Sequence, residues 1–123
     1  MSTAKPSFEI SVPPPPMPEV CSLEVRGRVD YRQAAAFRQA LLEELRRSKA
    51  NTVVVELASL ERVDTSGLAV LVEALSITRR LGRQLFLCTP SEYVVKIFRL
   101  SGFHEALEAC CTGPEEVARR MKA

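Results

Sequence analysis

The run Thr52-Val53-Val54-Val55-Glu56-Leu57 constrains this chain more than any other stretch. Three consecutive valines beside a threonine favour extended backbone, because β-branched side chains pack well on a pleated surface. The run lacks clean alternation between apolar and polar residues, as expected of a central strand covered on both faces. The chain must therefore build layers on both sides of a sheet, and its 123 residues are enough to do so within one domain.

The flanking segments supply those layers. From about Tyr31 to Ser48, Phe37, Leu41 and Leu45 recur at spacing four, with Ala34 and Leu42 beside them, which predicts an amphipathic helix. Asp30 is placed to cap it. A second helix is expected from Ser66 to Leu81 on the stripe Leu68, Leu71, Val72 and Leu75, stopped by Gly82. Ala58 to Thr65 reads as a short connection into it. Gln84 to Cys88 is a further strand, stopped by Thr89-Pro90. Ser91 caps a third helix whose Val94, Val95 and Phe98 face inward, ending at Gly102. Leu107–Cys110 reads as a last short strand. Thr112-Gly113-Pro114-Glu115 has the form of a capping box opening a C-terminal helix through Met121.

At the other end, Phe8, Ile10 and Val12 alternate with Glu9 and Ser11, and Leu23 to Val29 alternates again. Pro13 to Pro16 lie between and cannot donate ladder hydrogen bonds, so they form a stiff turn between two antiparallel strands. The fold class expected is α/β. A central mixed sheet of four to five strands has an N-terminal antiparallel pair and later parallel strands, with about four helices. Residues 8–121 form that domain, after a flexible, polar N-terminus over 1–7.

Charge and composition exclude several functions. Seventeen basic residues against fifteen acidic ones leave a formal +2, without the basic stripe that nucleic-acid binding uses. The basic groups Arg46, Arg47, Lys49 and Arg79, Arg80, Arg83 fall near helix ends, where the macrodipole favours cations. No unbroken apolar window is long enough to span a membrane, and no signal peptide is visible, so a cytoplasmic protein is expected. Cys21 and Cys88 fall in strands as small hydrophobes, and Cys110-Cys111 lacks zinc-ligand spacing, so no metal is expected.

Nothing points to catalysis. His104, the one histidine, follows a helix-ending glycine with no residue to orient it. The five glycines are too scattered for a phosphate loop or a dinucleotide fingerprint, so no cofactor is expected. Asp30 and Asp64 both follow strand-like segments and are placed to meet at one end of the sheet, but without an electrophile or metal set beside them.

The segment Val63-Asp64-Thr65-Ser66-Gly67-Leu68 puts a carboxylate and two hydroxyls where a loop becomes a helix. A helix start offers free N–H donors and a positive dipole end, which suit a phosphate. Gly67 leaves the backbone beside Ser66 open to a visiting active site. Asp, Thr and Ser are also ordinary N-cap residues, so the segment reads equally as a plain helix start.

Asp64-Thr65-Ser66-Gly67-Leu68 resembles the signature of the STAS family of bacterial anti-sigma-factor antagonists. Gly27-Arg28-Val29-Asp30 is similar to that family's Gly-x-apolar-Asp, and Leu100-Ser101-Gly102-Phe103 to its usual pattern after the third helix. The resemblance implies a non-enzymatic regulator that binds an anti-sigma factor acting also as a serine kinase. Ser66 would be the phosphorylated residue, with Thr65 as the second choice. Asp30, Asp64, Thr65, Ser66, Gly67 and Leu68 would form the partner-binding surface, and a phosphatase would reset the switch. Thr65 and Arg28 depart from the family's common residues, and Arg28 and Arg62 together imply a basic rim able to hold the phosphate. Two other branches fit the resemblance: a subunit docked on the ATPase of a lipid-trafficking ABC transporter, and a scaffold protomer of a stress-sensing assembly.

Overall fold

The computed structural model describes residues 7–121. Most of the segment expected to be flexible, residues 1–6, lies outside the described residues. Ser7 is tied to the sheet, its carbonyl accepting the Arg28 N–H at 2.6 Å.

Strand β1 (Phe8–Ser11) pairs antiparallel with β2 (Val20–Val29), as the two alternating segments require, with Phe8 opposite Gly27 and Ser11 opposite Glu24. Gly27 adopts φ +95°, and a Cβ there would meet the Ser7 carbonyl oxygen at 2.3 Å, so no other residue fits this crossing. Helix α1 (Ala34–Arg47) leads to β3 (Thr52–Glu56), which pairs parallel with β2 from Val20 to Glu24. The connection expected over Ala58–Thr65 contains a further strand, β4 (Leu60–Val63). It pairs parallel with the far half of β2, after a register shift between Gly27 and Arg28. Two of its four residues are exposed charges, which hid it from any apolar count.

Helix α2 (Thr65–Arg80) crosses to β5 (Gln84–Cys88), parallel to β3, and α3 (Glu92–Leu100) follows. The stretch read as a last strand from Leu107 is mostly α4 (His104–Ala109). Only Cys110–Cys111 forms a strand, β6, before α5 (Pro114–Met121). Ala106 and Ala109 turn one face of α4 into the core, a spacing of three that a six-residue helix repeats too briefly to declare. His104 therefore opens a helix instead of sitting at a helix C-terminus, and it is exposed. The capping box at α5 closes through Glu116: its carboxylate accepts the Thr112 N–H at 2.9 Å, the part expected of Glu115.

The sheet runs β1-β2-β3-β5-β6, with β4 beside β2. Six strands and five helices among the described residues exceed the four or five and about four expected, within the α/β class anticipated. Helices α1 to α4 supply most of the core on one face, where Phe37, Leu41, Leu68, Leu71, Phe98 and Val53 meet. Val54 points the other way and packs with Val20, Phe86, Cys88, Cys111 and Val117 under α5. The valine run is thus covered on both faces. Arg120 pins α5 there: it donates to the Cys110 carbonyl at 3.1 Å and lies 5.0 Å from the centre of the Phe86 ring. The four cysteines are free, and burial pushes the Cys88 thiol up to about 12 and the Cys110 thiol up to about 11.

Candidate functional site

The site is organised by Asp64. Its backbone is extended, so it stands just outside α2 as the N-cap, and Oδ1 accepts the Gly67 N–H at 3.1 Å. Oδ2 accepts the Tyr31 N–H at 2.9 Å, from the turn that follows β2. One carboxylate therefore joins two loops that lie 33 residues apart in the chain. Leu68, the fourth residue of α2, is 0% exposed in the main core, burial worth about 1.5–3 kcal/mol for such a side chain.

Gly67 is buried, and its role differs from the expected one. A Cβ at Gly67 would lie 2.7 Å from Val63 Cγ2 and 2.9 Å from the Val29 carbonyl oxygen. The missing side chain lets the first turn of α2 sit directly on β2 and β4; it opens nothing toward a visiting protein. Gly67 and Leu68 hold the helix start in place and present no side chain to solvent. Thr65 and Ser66 occupy the first two positions of α2, Thr65 exposed and Ser66 half-buried.

Asp30 does not cap the first helix. Helix α1 begins at Ala34 after Gln33, and Asp30 instead closes the Tyr31–Gln33 turn. Its carboxylate accepts the Arg32 N–H at 2.8 Å and the Arg32 guanidinium at 3.0 Å. The Arg32 side-chain bond, then its backbone bond, hold the Asp30 carboxyl below the usual range, with the Arg28 charge adding to the effect.

Asp30 and Asp64 line one open groove of about 820 Å³ at the ends of β2 and β4, as the strand order anticipated. Arg28, Arg62, Tyr93 and Ser91 line it too. Thr65 and Ser66 lie beyond its lining, on the helix side of Asp64. Sequence reasoning passed over Tyr31, Arg32 and Tyr93. An aromatic residue in a polar turn was the available signal for Tyr31, which is 72% exposed.

Residues 15–116 match the STAS domain family, and the chain belongs to that family. Among solved structures it is similar to the anti-sigma factor antagonist SpoIIAA in its unphosphorylated form, with a TM-score of 0.68 at 18% identity over 94% of this chain and 96% of that one. An anti-sigma factor antagonist from Mycobacterium paratuberculosis matches with a TM-score of 0.70 at 16% identity, covering 94% of this chain and 96% of that one. A murine anion transporter, Slc26a9, contains a similar unit: TM-score 0.73 at 16% identity over 85% of this chain but 18% of that one. At these identities the likeness is one of fold. No helix among the described residues is long and apolar enough to cross a membrane.

Proposed function

We propose that this STAS domain is a non-enzymatic cytoplasmic switch, an anti-sigma-factor antagonist that binds an anti-sigma factor with serine kinase activity and is released when Ser66 is phosphorylated. The observation that carries this reading is the placement of Ser66. It is a half-buried serine in the first turn of a 16-residue helix whose N-cap carboxylate already accepts two backbone N–H groups. A kinase transfers the γ-phosphoryl group of ATP to the Ser66 oxygen, releasing ADP and the hydroxyl proton. The product adds about −1.5 to −2 charges at neutral pH. The α2 dipole and open N–H groups favour that charge within the domain, so the fold persists. A partner surface fitted to the neutral hydroxyl loses contact and meets an added charge. Loss of affinity on the order of a hundredfold, ~3 kcal/mol, is the expected scale. A phosphatase would restore binding.

The test is a pull-down read by mass spectrometry for partner identity and for phosphate on Ser66. Ser66→Asp should abolish capture of the partner while circular dichroism stays native. Ser66→Ala should capture it and accept no phosphate, with Thr65→Ala added to close the second acceptor. Equal affinity of phosphorylated and unphosphorylated protein for the partner sinks the proposal. The similar unit in Slc26a9 favours a second reading, a domain that serves a transporter, and a permease or transport ATPase in the pull-down would select it.

A further inference from the structure

The groove at the ends of β2 and β4 is lined by two arginines, Arg28 and Arg62, that form no ion pair or side-chain hydrogen bond among the described residues. Arg28 and Arg62 are paired across the parallel β2–β4 ladder, so their side chains leave the sheet on the same side. Both are exposed. Like charges directly opposite in a ladder oppose the pairing, and a guanidinium is built to meet a planar carboxylate or phosphate. Among the described residues neither forms an ion pair, whereas six other arginines do. The aspartates of the groove are engaged already, Asp30 by Arg32 and Asp64 by two backbone N–H groups. Asp64 keeps its charge and Glu61 is the third carboxylate of the lining, but among the described residues neither is bonded to Arg28 or Arg62, whose guanidinium donors stay open. Tyr93, 55% exposed, lines the same groove, and tyrosine with arginine is the composition of interface hot spots.

We propose that Arg28 and Arg62 receive an acidic segment of the partner protein, two carboxylates facing the two guanidinium groups while Tyr93 packs on the segment's apolar part. The inference rests on the partner-binding reading of the neighbouring helix start and names the chemistry of that partner. Arg28 and Arg62 then set which partner docks, while Ser66 sets when.

The test needs no kinase. Isotope-labelled protein is titrated at low salt with a capped tetraglutamate peptide and, separately, with inorganic phosphate at matched ionic strength, following backbone amides by NMR. The expected result is saturable peptide shifts at Arg28, Arg62 and Tyr93, lost in the Arg28→Glu/Arg62→Glu variant and weakened at least tenfold at high salt. If that variant fails to fold, Arg28→Gln and Arg62→Gln taken singly must each weaken the peptide shifts. Three results overturn the inference: no shifts, shifts centred on Arg46, Arg47, Arg79 and Arg80, or phosphate binding as tightly as the peptide, which marks a small-anion site. Such a failure beside an intact Ser66→Asp effect rejects the acidic partner and leaves the switch standing. A positive titration with no Ser66→Asp effect does the reverse.

Discussion

Asp64→Ala removes two hydrogen bonds at once, and the structure separates their contributions. The Gly67 N–H loses its cap, a change that typically costs about 1 kcal/mol. The Tyr31 N–H loses a charged acceptor at 2.9 Å, and hydrogen bonds to charged groups contribute about 1.5–3 kcal/mol when sheltered. Tyr31 is exposed, so water replaces much of that second bond and about 1 kcal/mol is the expected share. The sum is about 2 kcal/mol. For a domain of 123 residues this lowers the melting temperature by roughly 6–10 °C. Asp64→Asn separates the two bonds. Its amide oxygen still caps α2, since Asn and Asp are comparable caps, but its NH2 group faces the Tyr31 N–H donor to donor. The asparagine variant should therefore lose about half as much. Urea denaturation at neutral pH, compared across the three proteins, gives the ordering directly. An alanine variant within 0.5 kcal/mol of the parent, or an asparagine variant weaker than alanine, would refute the view that this carboxylate ties the two loops together.

Gly67→Val forces a side chain into the contacts with Val63 and the Val29 carbonyl, so it should cost at least about 2 kcal/mol and raise amide exchange in the first turn of α2, measured by hydrogen exchange. Gly67→Ala should be milder, since about 1 kcal/mol of helix propensity offsets part of the overlap. The Cys88 thiol stays protonated in the folded protein to about 12, whereas the unfolded chain releases its proton near 8.5. The folded state thus binds more protons across that window, and stability should fall as pH rises from about 9 toward 12; Cys88→Ala should flatten that decline in denaturant melts. Arg120→Ala should cost about 1–2 kcal/mol and speed exchange at β6 and α5. Arg120→Lys should not restore it, because a single ammonium does not reproduce the stacked, branched contact.

The layered fold was legible because the strongest signals are local. The valine run, the Phe37-Leu41-Leu45 stripe and the alternation around Val25 each report burial through their own spacing. The fourth strand was not legible, because Leu60-Glu61-Arg62-Val63 takes its order from β2, about thirty residues earlier, and not from its own composition. The same distance explains the site. Ser66 and Asp64 stand in a recognisable motif, but the bond from Tyr31 to Asp64 and the pairing of Arg28 with Arg62 exist only once β4 is laid beside β2. Gly67 was singled out for a reason the packing overturned: the contacts that forbid a side chain come from Val63 nearby and from Val29, far away in the chain.

Strand β2 serves two neighbours in succession, β3 along its first half and β4 along its second. A four-residue strand with two exposed charges has little tendency to persist alone, so β4 and the helix that springs from it inherit their positions from β2. Ser66 is accordingly anchored to the scaffold through β4 and the Asp64 cap. The phosphorylation proposed at Ser66 would then act by adding surface charge at a fixed position.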